Sequence, residues 1–200
     1  MSLVPDEGLI DGWRCYNWRN ARSLLEHAFP HEWRDLIEVL SGFRLLHSQL
    51  AAKGGNKTET AGALDSEFYA RGWVEKKFLT AISVDGKSEE SPTHDIDCYR
   101  NRVAMELEWN NKDPFYDRDL NNFRLLYDLR VVDVGVMVTR STGLMHWLRT
   151  NHKNLDKAHG TYGASTTHFD KLEPRILGGG AGGCPVFVLA MTERLYVDDR

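Results

Sequence analysis

Three carboxylates near the middle of the chain, Asp97, Glu106 and Glu108, have the types and spacing for shared chemistry. The last two lie in Val103-Ala104-Met105-Glu106-Leu107-Glu108-Trp109, where Val103, Met105, Leu107 and Trp109 alternate with Ala104, Glu106 and Glu108. A period of two predicts a strand with one face in the core, and it sets Glu106 and Glu108 side by side on the other face, about 7 Å apart. Just upstream, His94-Asp95-Ile96-Asp97 is separated from this strand by the polar break Arg100-Asn101-Arg102. A hairpin turning near Asn101 and Arg102 places Asp97 opposite or diagonal to Glu106. Carboxylates that close repel one another unless a proton or a cation sits among them. An all-carboxylate donor set suits a hard divalent cation, Mg²⁺ above all. The plain alternative is a solvated strand face whose acids meet Lys or Arg from a neighbouring strand.

The pattern Asp97-x8-Glu106-x-Glu108, followed at once by Trp109-Asn110-Asn111, resembles the active site of the BglII, BstYI and BamHI group of type II restriction endonucleases. That group belongs to the PD-(D/E)xK nuclease superfamily. The likeness runs on through 117–129 and into Val132-Asp133-Val134-Gly135-Val136, and upstream His31-Glu32-Trp33 and Tyr69-Ala70-Arg71-Gly72-Trp73 fall where the family has similar segments. The superfamily's usual last motif residue is Lys, whereas here it is Glu108; BamHI has Glu at that place and BglII has Gln. The resemblance implies Mg²⁺-dependent hydrolysis of double-stranded DNA at a short palindrome, by a homodimer that uses the 117–129 helix in its interface. It also implies a site with a GATC core and a cognate DNA methyltransferase that protects the host. Asp97 and Glu106 are then expected to hold the metal, with Glu108 completing the shell or accepting a proton from water, so the general base stays open. Two other readings compete: a nuclease of the same superfamily with a repair or modification-dependent role, and a non-catalytic α/β binding module.

Contacts to DNA are expected from three places. Asn110 and Asn111 offer a donor and an acceptor together, the pairing that reads an adenine edge, although Asn-Asn before Lys112-Asp113-Pro114 also reads as a turn. Lys53 and Lys57 lie in a glycine-rich polar stretch, 53–62, which reads either as a plain solvent loop or as a flap whose Lys and Thr groups meet phosphate. In the family a DNA-reading loop falls at 154–167, where Tyr162, Ser165, Thr166 and Thr167 are the candidate contacts; a surface loop has the same composition.

The elements that must position these groups follow from periodicity. Apolar stripes predict helices over 19–28, 31–40, 64–71 and 117–129, the last with Asp117 as N-cap and Leu120, Phe123, Leu126 and Tyr127 on one face. Short helices are expected at 143–149 and 168–177. Val131 to Thr139 is almost continuously apolar, as a central strand covered on both faces must be. Phe78 to Ile82 and Pro185 to Met191 read as further strands, 85–93 as loop, and residues 1–18 give no clear pattern. The fold class is therefore α/β, a mixed central sheet of about five or six strands flanked by helices, in one domain over 1–200.

A chain of 200 residues with 42% hydrophobic and 27% charged residues is ordinary for a globular protein, and its net charge of −4 is not that of a basic nucleic-acid binder. The charge is uneven: 95–133 holds nine acids and six bases, whereas 140–178 holds six Lys or Arg against three acids. An acidic metal site beside a more basic face is what a nuclease needs. Cys15, Cys98 and Cys184 are widely spaced and predict reduced thiols rather than disulfides. With no long apolar run and no leader-like N-terminus, the expectation is a cytoplasmic protein without membrane contact. A zinc site from His152, His159, His168 and Cys184 matches no known ligand spacing, and 178–183 lacks the Gly-Lys-Ser/Thr of a phosphate loop.

Overall fold

A computed structural model of the chain describes residues 3–6, 8–52, 58–155, 157–158 and 160–200, with the side chains of Ser91 and Pro92 left aside. The first half contains β1 (Pro5–Asp6), β2 (Trp13–Trp18), α1 (Ala21–Ala28), α2 (Pro30–Gly42), β3 (Leu45–Leu46), α3 (His47–Ala51), α4 (Glu59–Tyr69) and β4 (Val74–Lys76). Next come β5 (Leu79–Val84), β6 (Lys87–Pro92), β7 (Ile96–Arg100), β8 (Val103–Glu108) and α5 (Phe115–Asp128). The chain ends with β9 (Val134–Arg140), α6 (Thr142–Thr150), α7 (Phe169–Leu177), β10 (Val186–Met191) and β11 (Tyr196–Val197).

Seven strands form one mixed sheet in the order β1-β2-β10-β9-β8-β7-β4. The three at its centre, β8, β9 and β10, are parallel, and β2 and β7 flank them antiparallel. Every residue of these three central strands is buried, because helices cover both faces. On one side lie α1, α2, α4 and α6, contributing Leu25, Leu36, Leu40, Phe68 and Leu148 to the core. On the other, α5 and α7 bring Tyr116, Leu120, Phe123, Leu172 and Ile176. The approach of α5 to the sheet is close: a Cβ on Gly135 of β9 would lie 2.5 Å from the Phe123 ring.

The β7–β8 hairpin turns at Asn101 and Arg102, as expected, and both have positive φ (44° and 71°), the pattern of a two-residue type I′ turn. Arg102 then grips Asp133 with two hydrogen bonds, from Nε to Oδ2 (2.6 Å) and from Nη2 to Oδ1 (2.5 Å), tying the turn to the start of β9. Arg100 unites the two upstream segments. Its Nη1 donates to Asp35 Oδ2 (2.7 Å) and to the Arg71 carbonyl (2.6 Å), its Nε lies 3.4 Å from Glu32 Oε1, and Trp73 Nε1 donates to the same Asp35 oxygen (2.9 Å). So 31–33 and 69–73 meet beside β7 and hold α2 and α4 against the edge of the hairpin.

Several expectations need correction. The sheet is wider than expected because 13–18 forms a full strand beside β10. Phe78 to Ile82 does not join that sheet. Instead, β5 and β6 pair as a separate hairpin about Asp85 and Gly86, leaving Leu79, Ile82 and Val84 exposed, and most of the 85–93 loop is strand. Helix α4 begins at Glu59, earlier than expected, because the Thr58 side chain accepts a hydrogen bond from the Ala61 amide and caps it. Asp117 is not an N-cap: α5 starts at Phe115, and Asp117 lies exposed in its first turn, paired with Arg175 (2.8 Å). No disulfide joins the three cysteines, all of them buried.

Candidate active site

The site begins where the β7–β8 ladder stops. Cys98, Tyr99 and Arg100 pair with Met105, Ala104 and Val103, and the next opposed residues are Asp97 and Glu106. There the carboxylates take over from the backbone. The Leu107 amide donates to Asp97 Oδ2 (2.8 Å), and the Asp97 amide donates to Glu106 Oε2 (3.3 Å). The strands are thus pinned apart by the two acids, each of which accepts from the other strand's main chain.

Glu106 and Glu108 project from β8 on the side of α5, and they are almost wholly covered, at 1% and 2% exposure. The solvated strand face considered from sequence is therefore not what forms. What covers the acids is itself acidic. Asp119 of α5 is fully buried on the same helical stripe as Tyr116, Leu120 and Phe123. It meets Glu108 carboxyl to carboxyl, a contact that is favourable only when one of the pair keeps its proton. Burial first, and then Asp119, push Glu108 up to about 9. Burial, followed by Asp119 and Asp97, drives Glu106 well above the usual carboxylate range. Glu108 Oε2 also accepts from Asn111 Nδ2 (2.9 Å). Arg118 supplies the adjacent positive charge, with Nε and Nη2 both on Asp119 Oδ1 (2.9 and 2.8 Å) and Nη2 3.6 Å from Glu108 Oε1.

Sequence reasoning missed Asp119 and Arg118. The signal was present for Asp119, a charged residue at the helical spacing of an apolar stripe, which on a packed helix is buried and must have a partner.

Asp97, Glu108 and Arg118 line a cleft of about 650 Å³, with Asp65, Glu75 and His94 among its other walls, while Glu106 and Asp119 lie buried behind it. No three His, Cys, Asp or Glu side chains among the described residues are gathered into a ready coordination cage. Asp97 and Glu106 each commit an oxygen to a main-chain amide, and Glu108 is turned to Asn111 and Asp119. The donor chemistry nevertheless fits a hard cation. Glu106 Oε1 and Asp119 Oδ2 are buried and receive no N–H or hydroxyl donor, and buried carboxylates in that state are satisfied by a proton, as between Asp119 and Glu108, or by a metal ion.

The segments expected to contact DNA join at the mouth of this cleft. Lys112 and Thr166 form an isolated antiparallel bridge; the Asp113 amide donates to the Ser165 carbonyl (3.0 Å) and the Thr167 amide to the Asn111 carbonyl (2.8 Å). Asn110 Nδ2 donates to the Thr161 carbonyl (3.2 Å). The whole unit is anchored on Arg140 at the end of β9. This fully buried guanidinium donates to Thr166 Oγ1 (2.6 Å) and to the Thr167 carbonyl (3.1 Å from Nε, 2.7 Å from Nη2), and its carbon lies 5.6 and 5.8 Å from the rings of Trp109 and Tyr162. Tyr162 (4% exposed) and Thr167 (0%), expected as contacts of an outward loop, instead face inward, to pack on and bind Arg140. Thr166 is also engaged with Arg140 and with the Gly163 carbonyl (2.7 Å). Ser165 and Asn111 are exposed, and Asn110 is half-buried. Lys53 and Lys57 lie outside the described residues.

Carboxylates clustered at the end of a central parallel strand, in a mixed sheet layered by helices, define a restriction-endonuclease-like α/β protein. The family model described as Restriction endonuclease BglII/BglIII matches residues 13–191, and the chain belongs to that family. The match runs from the first residue of β2 to the last of β10, and so takes in every strand of the sheet but β1, the acids and the 161–167 segment. Membership makes the protein a site-specific deoxyribonuclease of a restriction system that binds double-stranded DNA, in a class that generally uses a divalent metal. No curated protein matches the chain. Among the described residues, no helix is long and apolar enough to cross a membrane.

Proposed function

We propose that the protein hydrolyses phosphodiester bonds of double-stranded DNA at a short palindrome, with Mg²⁺ and as a cytoplasmic homodimer of this one-domain chain. The observation that carries this reading is the buried group of Glu106, Glu108 and Asp119, with orphaned oxygens on Glu106 and Asp119, beside Asp97 in an open cleft. A divalent cation supplies Lewis-acid polarisation of a phosphate and water of lowered pKa. Asp97 and Glu106 would hold it, since they stand opposite each other where the two strands part. Glu108, beside Asp119 and fixed by Asn111, would complete the shell of that cation or, once the cation has displaced its proton, accept one from water. Asn110, Asn111 and Ser165 would approach base edges, and Lys53 and Lys57 the phosphates. A two-fold dimer presents the same segments to each half-site, which is why the site should be a palindrome, with a GATC core expected from the resemblance. A cognate methyltransferase would protect such sites in the host.

Digestion of a sequenced plasmid with Mg²⁺, followed by sequencing of the ends, gives the site and the cut position together. Asp97→Ala and Glu106→Ala should each abolish cleavage while leaving a folded protein that binds DNA. Near-normal cleavage by both variants would show that the catalytic centre lies elsewhere.

A further inference from the structure

We propose that Arg118 contacts the scissile phosphodiester directly and is a catalytic residue of this nuclease. The proposal rests on the site assignment above, and its premise is electrostatic. Asp65, Glu75, Asp97 and Glu108 line the cleft, and among its described lining residues Arg118 is the one Lys or Arg. A phosphodiester entering that cleft meets Asp65, Glu75 and Asp97 beside Glu108, so a cation fixed in the wall is the side chain that can receive it alongside the metal. Arg118 is fixed. Its guanidinium lies 4.3 Å from the centre of the Phe115 ring and is held by Asp119 through Nε (2.9 Å) and Nη2 (2.8 Å). It is also available: the side chain is 36% exposed, and Nη1 has no protein partner among the described residues.

The same geometry favours phosphate over a base. Reading guanine in the major groove takes two parallel N–H groups of one guanidinium. On Arg118 the Nε–Nη2 edge is committed to Asp119 and Nη2 also lies 3.6 Å from Glu108 Oε1, so Nη1 is the nitrogen left without a protein partner, and a contact there is one of charge more than of paired donors. A phosphate oxygen near Nη1 would also lie close to Glu108, 3.6 Å from Nη2, where proton transfer is expected.

The test measures binding to cognate duplex across a salt series, with Ca²⁺ in place of Mg²⁺, and single-turnover cleavage at saturating protein with Mg²⁺. Loss of one phosphate contact should flatten the slope of log K against log salt by about 0.9 in Arg118→Gln. The same variant should cleave more slowly by roughly 10²–10³, the loss typical of removing one transition-state donor. Arg118→Lys keeps the charge and should restore the slope and part of the rate. Should Arg118→Gln not fold, because Asp119 loses its partner, the pair Arg118→Gln/Asp119→Asn removes both charges, and its salt slope alone is read, since Asp119 belongs to the carboxylate group of the site. An unchanged slope overturns the proposal whatever the rate does. So does a loss limited to cognate DNA with relaxed sequence preference, which would mark a base contact. Asp97→Ala run alongside tells this failure apart from failure of the site: active Asp97→Ala condemns the site assignment, while the Arg118 slope judges Arg118.

Discussion

Replacing Glu108 by glutamine should stabilise the metal-free protein, and by an amount that grows with pH. Glu108 is held up to about 9 by burial and by Asp119, whereas in the unfolded chain it titrates in the ordinary range. Between those two values the folded state carries a proton that the unfolded state has lost. A carboxyl raised in this way leaves stability intact below its unfolded pKa and drains it as pH rises towards the folded value, by about 1.4 kcal/mol per pH unit. The amide of Glu108→Gln does not titrate, yet it satisfies both neighbours: its N–H can donate to Asp119, and its oxygen can accept from Asn111 Nδ2. From about pH 5 to about pH 7.5 the difference between variant and wild type should build to about 3 kcal/mol. For a domain of this size that is on the order of 10 °C in Tm.

Thermal melts in a chelating buffer at both pH values check this directly. Near-equal Tm at the acid end with divergence at neutral pH supports the shared proton. A constant offset at the two pH values, or a variant less stable at the higher one, would refute it and mean that Glu108 is ionised and paired in the fold, with Arg118 the available partner. Millimolar Mg²⁺ should then narrow the gap, because the ion stabilises the full carboxylate set more than a set that contains an amide.

Two further outcomes follow from the packing around the same centre. Asn111→Ala removes an exposed amide and the 2.9 Å contact to Glu108, so it should weaken cognate binding by roughly 1–3 kcal/mol while random duplex is bound nearly as before. Equal loss on both DNAs, in a competition assay at two salt concentrations, would reduce Asn111 to a turn residue. Gly135→Ala drives a methyl group to 2.5 Å from the Phe123 ring and should lower stability by about 1–3 kcal/mol, with Phe123→Leu restoring part of it in a chemical-denaturation series.

How far the chain could be read from its letters depended on whether the information was local. The β8 alternation, the turn at Asn101 and Arg102, and the apolar run of β9 are short-range features, and each appears where the pattern put it. The hairpin of β5 and β6 was only half legible. Asp85-Gly86 is a strong turn signal, but Lys-Ser-Glu-Glu-Ser-Pro has low β-propensity, so the partner strand was hidden. The burial of Glu106 and Glu108 was not legible at all. Alternation reports which side chains share a face, whereas what covers that face is decided by the docking of α5, many residues away. The orientation of the side chains in the 161–167 segment was hidden in a similar way. Its hydroxyls and its tyrosine reveal what the loop is able to bond but not the direction in which it does so. That direction is set by Arg140, a cation buried at a strand end that draws in Thr166, Thr167 and Tyr162. The 161–167 segment, the Asn111 turn and Glu108 are consequently one connected body, from Arg140 through the Thr167–Asn111 backbone bond to the Asn111–Glu108 contact. Whatever displaces the Asn111 amide would therefore remove a hydrogen bond from Glu108, so the Asn111→Ala variant perturbs the turn and a carboxyl of the cleft together.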